Sequence, residues 1–268
     1  MDEPEITGIE SPPTQLAPSA GARVAIVGGC GGIGRALVEA CLSCRMDVAV
    51  LDLPASLAAV PPPPAVRSIA IDATDEAAVS RAFGELATVW ASLDGLVGLA
   101  GFMTERTPVD RLTATQWDQL VDGNLRSAFL VARAALPMLR IGRDPALVFV
   151  SSGLAQRVMP GYAAYAASKA GLIALTKAIA VENAPGLRAN AVAPGAVDTA
   201  FLDGGTGRDR ANAAPRVRLD VSAYVKNVPL GRIATPADVV GPILFLLGPA
   251  SRYMTGQVLY VNGGALTP

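Results

Sequence analysis

Seven residues, Gly28-Gly29-Cys30-Gly31-Gly32-Ile33-Gly34, restrict what this chain can fold into more than any others. They follow a short apolar run, Arg23 to Val27, and precede a helix-forming run, Arg35 to Cys44. In a strand, turn and helix of this kind, glycines allow a tight turn and let backbone N–H groups and the helix N-terminus approach a pyrophosphate. A second strand, Asp47 to Leu51, ends at Asp52, about 20 residues past the glycines, where a carboxylate accepts hydrogen bonds from an adenosine ribose. That carboxylate repels a 2′-phosphate, so NAD is expected rather than NADP. Arg35 and Arg45, which could reverse this preference, read as helix-surface charges.

The rest of the chain keeps the alternation. After the rigid Pro61 to Pro64 loop, Val66 to Ile71 reads as a third strand ending at Asp72, and Thr74 or Asp75 caps a helix running through Trp90. Asp94 to Ala100 is a fourth strand, closing at Gly101. Thr113 or Thr115 opens a long helix to Leu139 that contains Trp117, Asn124 and Phe129. Asn124 either faces solvent there or marks a locally broken ladder. Then come a strand from Ala146 to Ser152, a helix from Gly161 to Glu182, a strand near Leu187 to Val192, a helix from Ala237 to Leu247 behind Pro236, and a last strand, Gln257 to Val261. This pattern predicts an α/β, doubly wound Rossmann-type fold: a single domain over 21–268 whose seven-stranded parallel sheet carries helices on both faces. Ligands in such sheets bind beyond the carboxyl ends of the strands, where Gly28, Asp52, Asp72, Gly101 and Ser152 all fall. The irregular stretch 200–228 is expected to be a substrate lid. Residues 1–20, acidic and proline-containing, read as a disordered arm.

Composition removes several function classes. With 22 basic and 23 acidic side chains, the net charge of -1 provides no field for nucleic acid. No apolar run in the sequence looks long enough for a membrane span, and the acidic first segment has the wrong charge for a leader, so a cytoplasmic protein is expected. There is no histidine, which excludes Ser-His-Asp and Cys-His catalysis. Among three cysteines, Cys41 and Cys44 form a C-x-x-C without further ligands and read as structural, so no metal is expected.

Proton chemistry then falls to tyrosine, lysine, cysteine or a carboxylate. Tyr165 and Lys169 lie four residues apart, on one face of a helix. A phenol with an ordinary pKa near ~10 is a poor acid or base at neutral pH, and an adjacent ammonium is expected to draw it down. Ser152, at the end of its strand, places a hydroxyl opposite that phenol.

From about Arg23 to Gly264 these residues resemble the short-chain dehydrogenase/reductase family. Val27-Gly28-x-x-x-Gly32-Ile33-Gly34 is similar to its cofactor turn, Ser152 with Tyr165-x-x-x-Lys169 to its catalytic set, and Asn124 to its fourth catalytic member. Asn190 to Thr199 resembles the segment that holds the nicotinamide carboxamide. The resemblance implies Tyr165 as general acid/base, Lys169 lowering its pKa and bonding the nicotinamide ribose, Ser152 orienting the substrate oxygen, and Asn124 holding a water. For the cofactor it implies Gly28, Cys30, Gly31, Gly32, Ile33 and Gly34 at the turn, with Asp52 and Leu53 at the adenosine. Asp72, Ala73, Ala100 and Gly101 belong to the next two strand ends, and Pro194, Gly195, Val197 and Thr199 to the nicotinamide. It further implies a homotetramer, or a homodimer.

The chain departs from the family at Gly98-Leu99, where Asn-Asn is usual, and at Val27, where Thr is usual. Gly31 stands where NADP-preferring members often carry a basic side chain, in agreement with Asp52. The expected activity is hydride transfer between NAD(H) and a small-molecule secondary alcohol or ketone. The alternatives are an NADP-dependent 3-oxoacyl or ketosteroid-type reductase and an inactive NAD-binding scaffold. Phe102, Met103, Leu154 and Gln156, with Val158, Tyr162 and Phe201, are expected to form a mostly apolar substrate site, and the lid arginines Arg208 and Arg210 to offer its only anion handle.

Overall fold

A computed structural model of the chain describes residues 15–203 and 219–267. Seven strands form one sheet: β1 Arg23–Val27, β2 Asp47–Asp52, β3 Arg67–Ala70, β4 Gly95–Gly98, β5 Ala146–Val150, β6 Arg188–Pro194 and β7 Val258–Val261. Every pairing is parallel and the order is β3-β2-β1-β4-β5-β6-β7, the doubly wound arrangement expected from the sequence. The chain winds outward from β1 to β3, then crosses back to lay β4 on the other side of β1. A crevice therefore opens beyond the ends of β1 and β4, where ligands of such sheets bind.

Alternate side chains along each strand feed two cores. Ala25, Val27, Ala49 and Leu51 point into one, with helices α3 (Glu76–Ala87), α5 (Ser127–Leu139) and α6 (Ala163–Asn183). Val24, Ile26, Val48 and Val50 point into the other, with α1 (Gly32–Ser43) and α8 (Pro236–Leu247). The shorter helices are α2 (Pro54–Ala59), α4 (Ala114–Val121) and α7 (Val221–Val225). Capping decides two open choices. Asp75, not Thr74, accepts the N–H groups of Ala77 and Ala78, and Thr113, not Thr115, forms a capping box with Gln116.

Boundaries shift for identifiable reasons. β3 and β4 are shorter than predicted because pairing thins to single bonds past their ends, Ile71 N to Asp52 O and Leu99 N to Val27 O, both 2.8 Å. The helix predicted through Trp90 ends at Ala87. The long helix to Leu139 is broken: between α4 and α5, Asp122–Arg126 form a π turn with Asn124 fully buried inside it. Of the two readings of Asn124, the broken ladder is the observed one. Cys41 is buried on α1 and Cys44 caps its end, both as free thiols.

At the start of β6, Arg188 is buried and donates to the carbonyls of Leu246 (2.8 Å) and Leu247 (3.3 Å) and to Ser251 Oγ (2.6 Å). It thereby satisfies the orphan carbonyls at the end of α8. Leu16 and Ala17 lie against Gly248 at the same corner, and Ala17 packs on the α1 and α8 core, so residues 15–20 are held where an arm was expected. The remainder of that arm, and residues 204–218 of the expected lid with Arg208 and Arg210, lie outside the described residues. By length and composition α6 alone among the described helices could cross a membrane, which the sequence reading did not register. Half of its most apolar stretch is buried, consistent with its place as a core helix against β6.

Candidate active site

Gly28 ends β1 with φ of +87°, and a Cβ there would lie 2.9 Å from Ala100 N, so only glycine lets the turn pass this close to the end of β4. A Cβ on Gly34 would strike Gly28 O, which sets how tightly α1 seats on the turn. Gly32 packs against Thr199, joining the turn to the segment after β6. Asp52 fastens the far side: its Oδ2 accepts Cys30 N and its Oδ1 accepts Leu53 N, both at 2.8 Å.

These groups line a single cavity of about 630 Å³. Gly28, Gly31, Gly32, Ile33 and Gly34 border it, as do Asp52 and Leu53. Farther along come Ala73, Ala100 and Gly101, then Pro194, Gly195, Val197 and Thr199. Two expected cofactor residues do not border it. Cys30 turns into the α1 core, where burial and the neighbouring Asp52 push its thiol up to about 12. Asp72 Oδ1 turns back to accept the N–H (2.9 Å) and hydroxyl (2.7 Å) of Thr74.

Ser152, Tyr165 and Lys169 all reach the same cavity. The Ser152 hydroxyl faces the Tyr165 phenol closely enough to favour its ionised form, and accepts Leu154 N at 3.1 Å. Ser151 Oγ donates to Lys169 O (2.8 Å), pinning α6 to the end of β5. Lys169 Nζ donates to Val150 O at 3.0 Å and sits 5.8 Å from the centre of the Tyr165 ring.

The electrostatics correct one expectation. Burial raises the Tyr165 phenol well above its ordinary value, only partly offset by the Ser152 hydroxyl and added to by Tyr162. Burial likewise lowers Lys169 to about 8. The ammonium addresses the Val150 carbonyl and the ring face rather than the phenolic oxygen, and burial sets the direction of the phenol's shift. Tyr165 is therefore a protonated acid at neutral pH. Asn124 stands behind the wall rather than in it: its Oδ1 accepts Phe102 N and its Nδ2 donates to Phe102 O, both at 3.0 Å, bracing the loop after β4.

Phe102, Met103, Leu154, Tyr162 and Phe201 line the remaining space as expected. Gln156 and Val158 do not; both are exposed beyond the short turn Gly153–Ala155. Arg106, Arg157 and Tyr224 line the cavity and escaped the sequence reading, because each sits outside any motif and is brought in by a loop or by α7. Tyr224 accepts Ala196 N at 3.0 Å, tying α7 to the segment after β6.

Residues 28–266 match a protein family described as enoyl-(acyl carrier protein) reductase. A 3-oxoacyl-(acyl-carrier-protein) reductase FabG from Chlamydia muridarum is 33% identical over 196 residues, 72% of this chain and 74% of that protein. A cis-4-hydroxycyclohexanecarboxylate dehydrogenase from Sinomonas cyclohexanicum is 34% identical over 194 residues, 72% of this chain and 74% of that protein. Among solved structures, a short-chain dehydrogenase/reductase from Brucella melitensis superposes with a TM-score of 0.81 at 25% identity, covering 94% of this chain and 99% of that one. The ligand-free aldohexose dehydrogenase of Thermoplasma acidophilum also gives 0.81, at 27% identity over 94% of this chain and 98% of that one.

Proposed function

The chain belongs to the short-chain dehydrogenase/reductase family and is an oxidoreductase, and from that premise we propose that it moves hydride between NAD(H) and a secondary alcohol or ketone, with Tyr165 as general acid/base. The observation that carries this reading is that Ser152, Tyr165 and Lys169 open onto the same cavity as the Gly28 turn and Asp52. The cradle suits a dinucleotide: the turn brings backbone to its edge without side chains, and Asp52 stands where its carboxylate would accept hydrogen bonds from the hydroxyls of an adenosine ribose. Bound there, the nicotinamide supplies the hydride chemistry, and the protein supplies position and protons.

In the reducing direction Tyr165 gives its proton to the substrate oxygen, which Ser152 holds by its hydroxyl. In the oxidising direction the Tyr165 phenolate takes the proton back, with the Lys169 amine 5.8 Å from the centre of its ring. Gly28, Gly32 and Asp52 would hold the adenosine and pyrophosphate, and Gly195, Val197 and Thr199 the nicotinamide end. NAD rather than NADP is supported by charge. The only cations bordering the cavity among the described residues are Arg106, Arg157 and Lys169, none of them on the glycine turn or after β2. A 2′-phosphate would meet the negative charge of Asp52, and the nearest cation of the turn, Arg35 on α1, does not border the cavity.

The second reading, an NADP-dependent 3-oxoacyl reductase, is favoured by the name of the Chlamydia relative. Kinetics with NADH and NADPH on one ketone panel separate the two: NADH is expected to be preferred, and Asp52→Ser to narrow the preference. Tyr165→Phe is expected to lower turnover by roughly 100- to 10,000-fold with NADH binding nearly intact. Undiminished turnover in that variant refutes the assignment. An oligomer assembled through α4, α5 and α6 in the cytoplasm accords with the family, and Trp117 and Phe129 stand 41% and 43% exposed on the first two of these helices. Light scattering reads the tetramer or dimer directly.

A further inference from the structure

Resting on the dehydrogenase reading, we propose that Arg106 binds a carboxylate of the substrate, making the substrates hydroxy and keto acids whose acid group lies across a short apolar body from the reacting carbon.

Three observations meet at this side chain. It borders the cavity that holds Tyr165. It is also held in place: Arg106 Nε donates to Tyr162 Oη at 2.9 Å, its guanidinium carbon lies 5.2 Å from the centre of the Tyr162 ring, Thr107 N donates to Gly161 O at 3.0 Å, and a Cβ on Gly161 would come within 2.8 Å of Arg106 Cβ. Such a clamp removes much of the entropy a long side chain loses on binding a ligand. Finally, neither Nη is hydrogen-bonded and no carboxylate pairs with the guanidinium among the described residues, which leaves the planar fork for a ligand. That fork matches a carboxylate bidentately.

The charge balance agrees. Arg157 is a second cation on the wall, steadied by donating to Ala265 O at 2.7 Å. Two carboxylates border the cavity among the described residues: Asp52 accepts Cys30 N and Leu53 N, and Asp220 is occupied in capping α7 through Ala223 N. The same cavity wall carries the apolar side chains of Phe102, Met103, Leu154, Met159 and Phe201. Tyr162, which carries Arg106, is the N-cap of α6, three residues before Tyr165, so the fork and the phenol border the cavity near the same end of that helix. This proximity fits the acid group of a small molecule. The phosphodiester of a carrier-bound acyl chain sits at the far end of a long flexible arm from its keto group.

The test uses the full chain with saturating NAD, where ketone reduction cannot proceed, and measures binding of 4-oxocyclohexanecarboxylate and 4-oxopentanoate against their methyl esters by calorimetry. We expect each acid to bind about tenfold or more tighter than its ester, the range of a charge-assisted hydrogen bond, with the advantage shrinking as salt rises. Arg106→Gln should abolish the advantage, weakening acid binding about tenfold or more while ester binding changes far less, a split that a merely structural role would not produce. Should Arg106→Gln fail to fold, Arg106→Lys keeps the charge without the fork and is expected to lose most of the advantage. Equal binding of acid and ester, or an acid preference that survives in these variants, overturns the proposal. So does NADH-dependent reduction of a 3-oxobutanoyl thioester mimic at higher kcat/KM than either keto acid. Acid preference with no NADH consumption by any of these compounds would leave the anion site standing and sink the dehydrogenase reading instead.

Discussion

At the scale of single residues, the site depends on two buried groups whose protonation is set by desolvation. Tyr165 keeps its proton throughout the neutral range, while Lys169, lowered to about 8, loses its charge just above it. Ketone reduction at saturating NADH is therefore expected to hold steady below pH 8 and to fall as Lys169 deprotonates above it. Alcohol oxidation, which needs the phenolate, should climb with pH. A reduction rate flat from pH 7 to 10 contradicts this assignment. The same shift is a stability statement. A lysine whose folded value lies below its ordinary 10.5 costs stability in full below pH 8, and that cost fades as pH rises toward 10.5. The cost at pH 7 is on the order of 3 kcal/mol before the Val150 hydrogen bond is counted. Lys169→Met should thus raise the urea midpoint at pH 7 while it suppresses turnover, the expected conflict between function and stability. The pairing of Tyr165 with Lys169 is legible in the sequence as helical spacing. Which way the phenol shifts is not, because burial in the folded chain sets that direction.

At the scale of elements, the departure at Gly98 has a packing explanation. Gly98 of β4 pairs in register with Phe149 of β5, and a Cβ on Gly98 would strike the Phe149 ring, which is itself fully buried. The ring fills the space above Gly98, where the family's usual asparagine would place its side chain, and Val27 adds another apolar neighbour in place of a hydroxyl. Gly98→Asn alone is expected to destabilise by about 1–3 kcal/mol through overpacking. Adding Phe149→Ala should make the combined cost smaller than the sum of the two single costs, a coupling that urea denaturation of the four proteins measures. Arg188 plays the complementary role at the start of β6, two strands away. Arg188→Met leaves buried carbonyls at the end of α8 and Ser251 without their donor, with an expected loss of about 3 kcal/mol. An unchanged urea midpoint would show that water replaces the guanidinium there. The π turn at Asn124 belongs to this scale as well: the polar residue was visible in an apolar helix, but its partners on Phe102 come from a loop 22 residues earlier.

At the scale of the whole molecule, a binding crevice placed where the winding of the sheet reverses couples cofactor binding to global stability. NADH at a hundredfold excess over its Kd should stabilise the protein by about 2.7 kcal/mol and raise Tm by roughly 5 to 10 °C. NADPH should give a smaller shift, and Tyr165→Phe should retain the NADH shift, since binding and proton transfer use different groups. No shift with either cofactor would remove the dinucleotide reading altogether. The alternation of strands and helices, the glycine turn, the acidic residue after β2 and the tyrosine-lysine spacing are local patterns, and local chemistry is sufficient to specify them. The strand order, the cavity shared by Gly28 and Tyr165, the withdrawal of Cys30 and Asp72 from it and the arrival of Arg106 and Tyr224 were decided only by tertiary structure. Each of those depends on side chains distant in sequence competing for the same volume and the same hydrogen bonds.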